Sequence, residues 1–128
     1  MKEILKALNS VAGIKGSMLV TLDGMVVAAE LGGGLDEETV AAVSSHFLMA
    51  AHEHADAIGL KNFSRLVLEG THGKIVLVPS GNAFLVVIAD MRVDFEATFI
   101  EILSAARRMG ASQKLPAGPA RRSPPALR

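Results

Sequence analysis

The sequence predicts an α+β domain of three layers, αβα, around a five-stranded antiparallel sheet with element order α-β-β-α-β-β-β-α. Three observations carry this. Apolar residues recur at helical spacing in three stretches: near the start, in the middle and before the proline-rich end. Two short apolar runs flank Asp23-Gly24, a dipeptide that favours a tight hairpin turn. Three further runs rich in β-formers then follow one another through short glycine-containing turns.

The first helix spans residues 2–12, with Ile4, Leu5, Leu8 and Val11 on one stripe and Gly13 ending it. Ser17 to Leu22 and Met25 to Ala29 form the first hairpin. "LGGGL" then links it to a long helix, capped by Asp36, with Glu37 and Glu38 in its first turn and an end near Gly59. Phe63 to Glu69, Lys74 to Pro79 and Ala83 to Ala89 make a three-stranded meander through "GTHG" and "SGN". The last two are apolar at consecutive positions, so both their faces are covered. "FSRLVLE" instead alternates, with Arg65, Val67 and Glu69 on one face and Leu66 and Leu68 on the other, which suits an edge strand. Asp94 caps a last helix carrying Phe95, Phe99, Ile102, Leu103 and Ala106 on one face and ending near Gly110. The domain is thus 1–110. Residues 111–128 hold four of the five prolines and read as a disordered basic tail.

Composition narrows the function. With no Trp, no Tyr and five Phe, the core is built from Val, Leu, Ile, Ala and Met. The formal net charge is zero, so no overall field attracts nucleic acid. From Ala111 onward the charges are Lys114, Arg121, Arg122 and Arg128 without an acid, leaving the body net negative. The absence of cysteine excludes disulfides, thiolate metal sites and cysteine nucleophiles. The start lacks a signal-like apolar core, and Ala83 to Ala89 is too short to span a bilayer, so a cytoplasmic protein is expected.

The familiar catalytic motifs fail on inspection. "LGGGLDEE" has the strand–glycine–helix order of a phosphate loop, but Glu37 occupies the third glycine position. The acids Asp36, Glu37 and Glu38 also repel an anion. "GTHGKI" is too short for a Walker loop and reads as a turn. No G-x-S-x-G occurs, and nothing in the spacing unites Ser17, His72 and Asp23. No catalytic residue, metal site or cofactor is therefore assigned.

"HFLMAAHEHAD" (46–56) holds three of the four histidines. At about 100° per residue, with Val40 at zero, Val43, Phe47, Ala51, His54 and Ile58 fall within roughly 60° of that direction. This stripe is expected to pack inward. Ser45, His46, Met49, His52, Glu53 and Asp56 fall on the far side, with His52 and Asp56 spaced as a surface pair. His52 and His54 are nearly opposed and cannot ligate one metal from a single helix. The outer face is the candidate partner-binding surface. The edge strand, through Phe63, Arg65, Val67 and Glu69, is the candidate dimer interface.

Several stretches together resemble one family. They are "VAGIKGSMLVTLDGMVVAAE", the acid-capped "LDEETVAAV" and "LVLEGTHGKIVLVPSGNAFLVVIAD", in this order over residues 1 to 110. The chain is similar to bacterial roadblock-type proteins, related to dynein light chains and to the MglB-type partners of small Ras-like GTPases, with a profilin/longin-like fold. The resemblance implies a dimer in which third strands pair and second helices share one face. It also implies a non-enzymatic role: binding a small Ras-like GTPase and, in some members, raising its GTP hydrolysis. The alternatives are a small-molecule sensor, with a pocket between sheet and helix, and a passive assembly adaptor without a GTPase partner.

Overall fold

The computed structural model describes residues 1–117. Its order is α1 (Lys2–Asn9), β1 (Ile14–Thr21), β2 (Val26–Glu30), α2 (Glu37–Ala57), β3 (Leu66–Glu69), β4 (Lys74–Ser80), β5 (Ala83–Ala89) and α3 (Phe95–Ala117). All strand pairings are antiparallel, and the sheet order is β2-β1-β5-β4-β3. The predicted architecture is the observed one.

Local chemistry explains the turns. Gly24 takes φ +92 between β1 and β2, while Thr21 Oγ1 donates to the Asp23 carboxylate and accepts from Met25 N at 3.0 Å. Gly13, at φ +94, turns the chain from α1 into β1, and Val93 lies so close that a Cβ there would meet its atoms at 2.8 Å. Only glycine suits that position.

The sheet divides two apolar clusters. On one face Leu5 and Leu8 of α1 and Ile102, Ala105, Ala106 and Met109 of α3 pack on Leu19, Val76, Val78, Leu85 and Val87. On the other, Ala41 and Leu48 of α2 pack on Met18, Val20, Leu77, Phe84 and Val86. A polar clamp fixes α1: Ser17, fully buried, donates to Asn9 Oδ1 at 2.7 Å, and Asn9 Nδ2 donates to Glu30 O at 2.8 Å.

Four boundaries differ from expectation. α1 ends at Asn9 and not at 12, because the next two residues turn away through tighter bonds, Ser10 N to Ala7 O and Val11 N to Leu8 O. β1 begins at Ile14, three residues early, because a bulge between Ile14 and Gly16 lets pairing with β5 continue to Ala89. β3 keeps only four residues, since Asn62 at φ +56 and the segment after it turn Phe63 under α2. α3 passes through Gly110 because that glycine is buried against the β4–β5 turn, where a Cβ would lie 3.0 Å from Gly81 N. Gly110 serves close packing and not termination. The predicted tail from 118 to 128 lies outside the described residues.

Candidate interaction surfaces

The orientation of α2 sets the candidate site. Ala41, Ser44, Ser45 and Leu48 are its buried residues, at i, i+3, i+4 and i+7. Small side chains let the helix lie close to the sheet, and Ser45 Oγ donates to Leu22 O at 2.6 Å, fastening it to the first hairpin turn. This corrects the predicted orientation: Ser45, expected on the outer face, is buried, and the expected inward stripe is not. Val43 and Phe47 are about half exposed at 45% and 43%, Ile58 is 78% exposed, and His54 is exposed. The helix is turned roughly 90° from the expected direction.

The other five outer-face residues, His46, Met49, His52, Glu53 and Asp56, are all exposed, Met49 at 61%. The expected His52–Asp56 pair does not form. His52 instead meets the Phe63 ring edge-on, 4.5 Å between centroids, so an aromatic contact and not an ion pair orients it. Leu22, Asp23, Leu48, Met49 and His52 line a shallow groove of about 420 Å³ beside this face.

β3 is an edge strand. Its four candidate residues do not share one surface. Phe63 is half-buried beneath α2, Arg65 lies over the Phe99 ring at 4.1 Å, and Val67 and Glu69 are exposed. Arg65 therefore serves the α3 side of its own chain. The other edge, β2, carries a register shift at the Leu19/Val20 pairing, and Lys2 bridges Glu30 at 3.6 Å. Bulges and charge blunt an edge against further pairing; the printed β3–β4 register has no such shift.

Sequence reasoning missed a second, wider groove. α2 leaves part of the sheet uncovered, and Leu35, Phe47, Leu68, Ile75 and Ile88 line a mostly apolar groove of about 750 Å³ reaching the β3 edge. Lys15 and His72 stand at its rim. The signal was present in the Ala-Ser-Ser-Leu stripe: if small residues face the sheet, Phe47 must face elsewhere.

The fold does not bring Ser17, Asp23 and His72 together. Ser17 is spent on the α1 clamp, Asp23 is in the β1–β2 turn, and His72 is in the β3–β4 turn at the opposite end of the sheet. Among the described residues, no group of three or more His, Asp or Glu is placed to hold a metal ion. Within the same residues, no helix is long and apolar enough to cross a membrane.

The family model described as Roadblock/LC7 domain matches residues 1–89. The chain belongs to the Roadblock/LC7 family. This roadblock chain is also 39% identical over 108 residues to the uncharacterized protein MJ1340 of Methanocaldococcus jannaschii, covering 84% of this chain and 95% of that one. Among solved structures, Myxococcus xanthus MglB superposes with TM-score 0.81 at 21% identity, covering 88% of this chain and 93% of that one. A structure described as MglB with tetrameric arrangement gives 0.80 at 19%, covering 86% and 85%. At those identities the structural likeness speaks for the fold.

Proposed function

We propose that this roadblock domain is a non-enzymatic, dimeric regulatory or scaffold subunit, active in the cytoplasm, that binds a small Ras-like GTPase and modulates its GTP hydrolysis. The observation that carries the reading is the orientation of α2. It buries Leu48 among small residues but leaves Phe47 off the sheet, in the groove that reaches an open edge strand. A monomer gains nothing from exposing Leu35 and Phe47 around one groove; a partner covering them does. The likeness to MglB supports the same reading, one MglB structure being described as a tetramer. In the dimer, β3 strands pair through Val67 and Glu69, and the groove beside them is covered. The outer face of α2, with His46, Met49, His52, Glu53 and Asp56, then receives the GTPase. Acidic residues there favour a basic patch on the partner.

The test is a pull-down with the full chain from its native cytoplasm, followed by a hydrolysis assay on any Ras-like GTPase recovered. Met49→Glu places a charge in the middle of the proposed contact, and GTPase retention is expected to fall at least tenfold, as loss of a central apolar anchor does. Unchanged retention would remove this face from the interface. Recovery without any change in hydrolysis would leave a scaffold and reject the regulator.

A further inference from the structure

The groove between α2 and the β3 edge has a floor that the strand register explains. Leu68 of β3 pairs with Ile75 of β4, Ile75 with Ile88 of β5, and Ile88 with Gly16 of β1. Cross-strand partners share a face, and Ile75 packs against the α2-side cluster. Three large apolar side chains therefore stand in one row under α2, and the row ends at a residue with no side chain. β5 is the middle strand of the sheet, yet Ile88 is its one partly exposed position. α2 does not cover it, and Leu35 and Phe47 stand beside the row, themselves partly exposed.

The charge facing this row is of one sign. Lys15, next to the glycine that ends the row, and His72 stand exposed at the rim. Among the described residues, neither forms an ion pair. Asp90 feels the Lys15 charge, but its carboxylate is held by Arg92, at 2.9 Å from the backbone N and 3.2 Å from the guanidinium. Glu69, the acid among the lining residues, pairs across the strands with Lys74. The Lys74 ammonium lies 5.1 Å from the centre of the Phe95 ring of α3, so that pair belongs to the opposite face of the sheet.

We propose that this groove binds a free single-chain carboxylate of the fatty-acid type, with its head at Lys15 and its chain laid across Ile88, Ile75 and Leu68. From β1 to β3 the row crosses three strand spacings, about 14 Å, the extended length of roughly eleven carbons. The groove volume of about 750 Å³ is of the size that small-molecule sites have. One row takes one chain, which favours a free acid over a two-chain lipid held in a bilayer. The consequence rests on the function proposed above. In that dimer the second copy covers the same groove, so bound ligand and second copy exclude each other, and the ligand shifts the protein toward monomers.

The test titrates dodecanoate, below its micelle-forming concentration, into the full chain by calorimetry. One site per chain is expected. Affinity should rise about fivefold or more from octanoate to decanoate and again to dodecanoate, as burial of methylene groups requires. Dodecyltrimethylammonium, with the same chain and the opposite charge, should bind about threefold or more weakly, and Lys15→Glu should invert that preference. Methyl signals of Leu35, Leu68, Ile75 and Ile88 should shift together, while those of Leu85 and Ile102, in the core on the other face, stay in place. Uptake without saturation, shifts centred on Leu22 and Met49, equal affinity for the cation, or binding to phospholipid vesicles but not to the free acid overturns the proposal. Light scattering on the same samples keeps the two readings apart. A chain that is monomeric at every concentration without ligand refutes the proposed dimer, while calorimetry still decides the ligand. A dimer that binds dodecanoate and keeps its mass overturns the exclusion.

Discussion

Two residues on α2 carry consequences of opposite sign. Ser44 is fully buried against the sheet, and its hydroxyl has no hydrogen-bond partner among the described residues. Burying an unpaired hydroxyl is unfavourable, whereas a methyl of nearly the same shape loses nothing there. Ser44→Ala is therefore expected to stabilise the domain by about 1 kcal/mol, seen as a higher urea midpoint at constant slope. A lower midpoint would mean that the hydroxyl has a partner after all. Asp36, at the other extreme, caps α2: its carboxylate accepts from Thr39 Oγ1 at 2.6 Å and Thr39 N at 2.9 Å. The side-chain bond from Thr39, then the backbone one, holds its carboxyl below the usual aspartate range. Because the folded value is depressed, the stabilisation is fully present above the unfolded value and disappears as pH falls through the folded one. Asp36→Asn keeps an acceptor but cannot titrate. Its stability curve should lie below the parent's near neutral pH and converge with it in acid; parallel curves at all pH values would refute the linkage.

At the scale of elements, the strands were legible because their signals are local. Asp23-Gly24 and the glycine turns are short-range constraints, and the unbroken apolar runs of β4 and β5 require cover on both faces. The orientation of α2 was not legible by counting hydrophobicity, because the residues meeting the sheet are Ala41, Ser44, Ser45 and Leu48. Size decided that contact, and larger apolar groups were left for another surface. Gly110 was misread for a related reason: glycine can mark a helix end or a close approach, and only the fold distinguishes them. The rotation of α2 makes a sharp prediction. Phe47 is 43% exposed and is absent from both core clusters. Phe47→Asp should therefore leave the circular dichroism spectrum intact while converting a dimer to a monomer in light scattering behind gel filtration. Loss of the helical signal would show that Phe47 belongs to the core of its own chain.

For the molecule as a whole, the function proposed above assigns assembly and recognition to different sheet edges and different faces of α2. β2 is bulged and bridged to α1, whereas β3 ends the sheet beside an apolar groove. In the proposed dimer, pairing through β3 alone would relate two copies by a two-fold axis and seal the groove in the same event. Stability then includes an association term, since a partner that binds only the folded chain stabilises it by mass action. The melting temperature of the parent should rise with protein concentration, by a few degrees per tenfold for a domain of this size. That estimate takes about 1.4 kcal/mol per decade of association, shared between two chains, against the unfolding entropy of about 110 ordered residues. Phe47→Asp should melt lower and without concentration dependence, whereas Met49→Glu should retain it, because Met49 lies about 160° around the helix from Phe47. If both substitutions abolish the dependence, the two faces of α2 are not separable and dimerisation and recognition share one surface. If neither variant nor the parent shows any dependence, the groove is not an interface between copies of this chain.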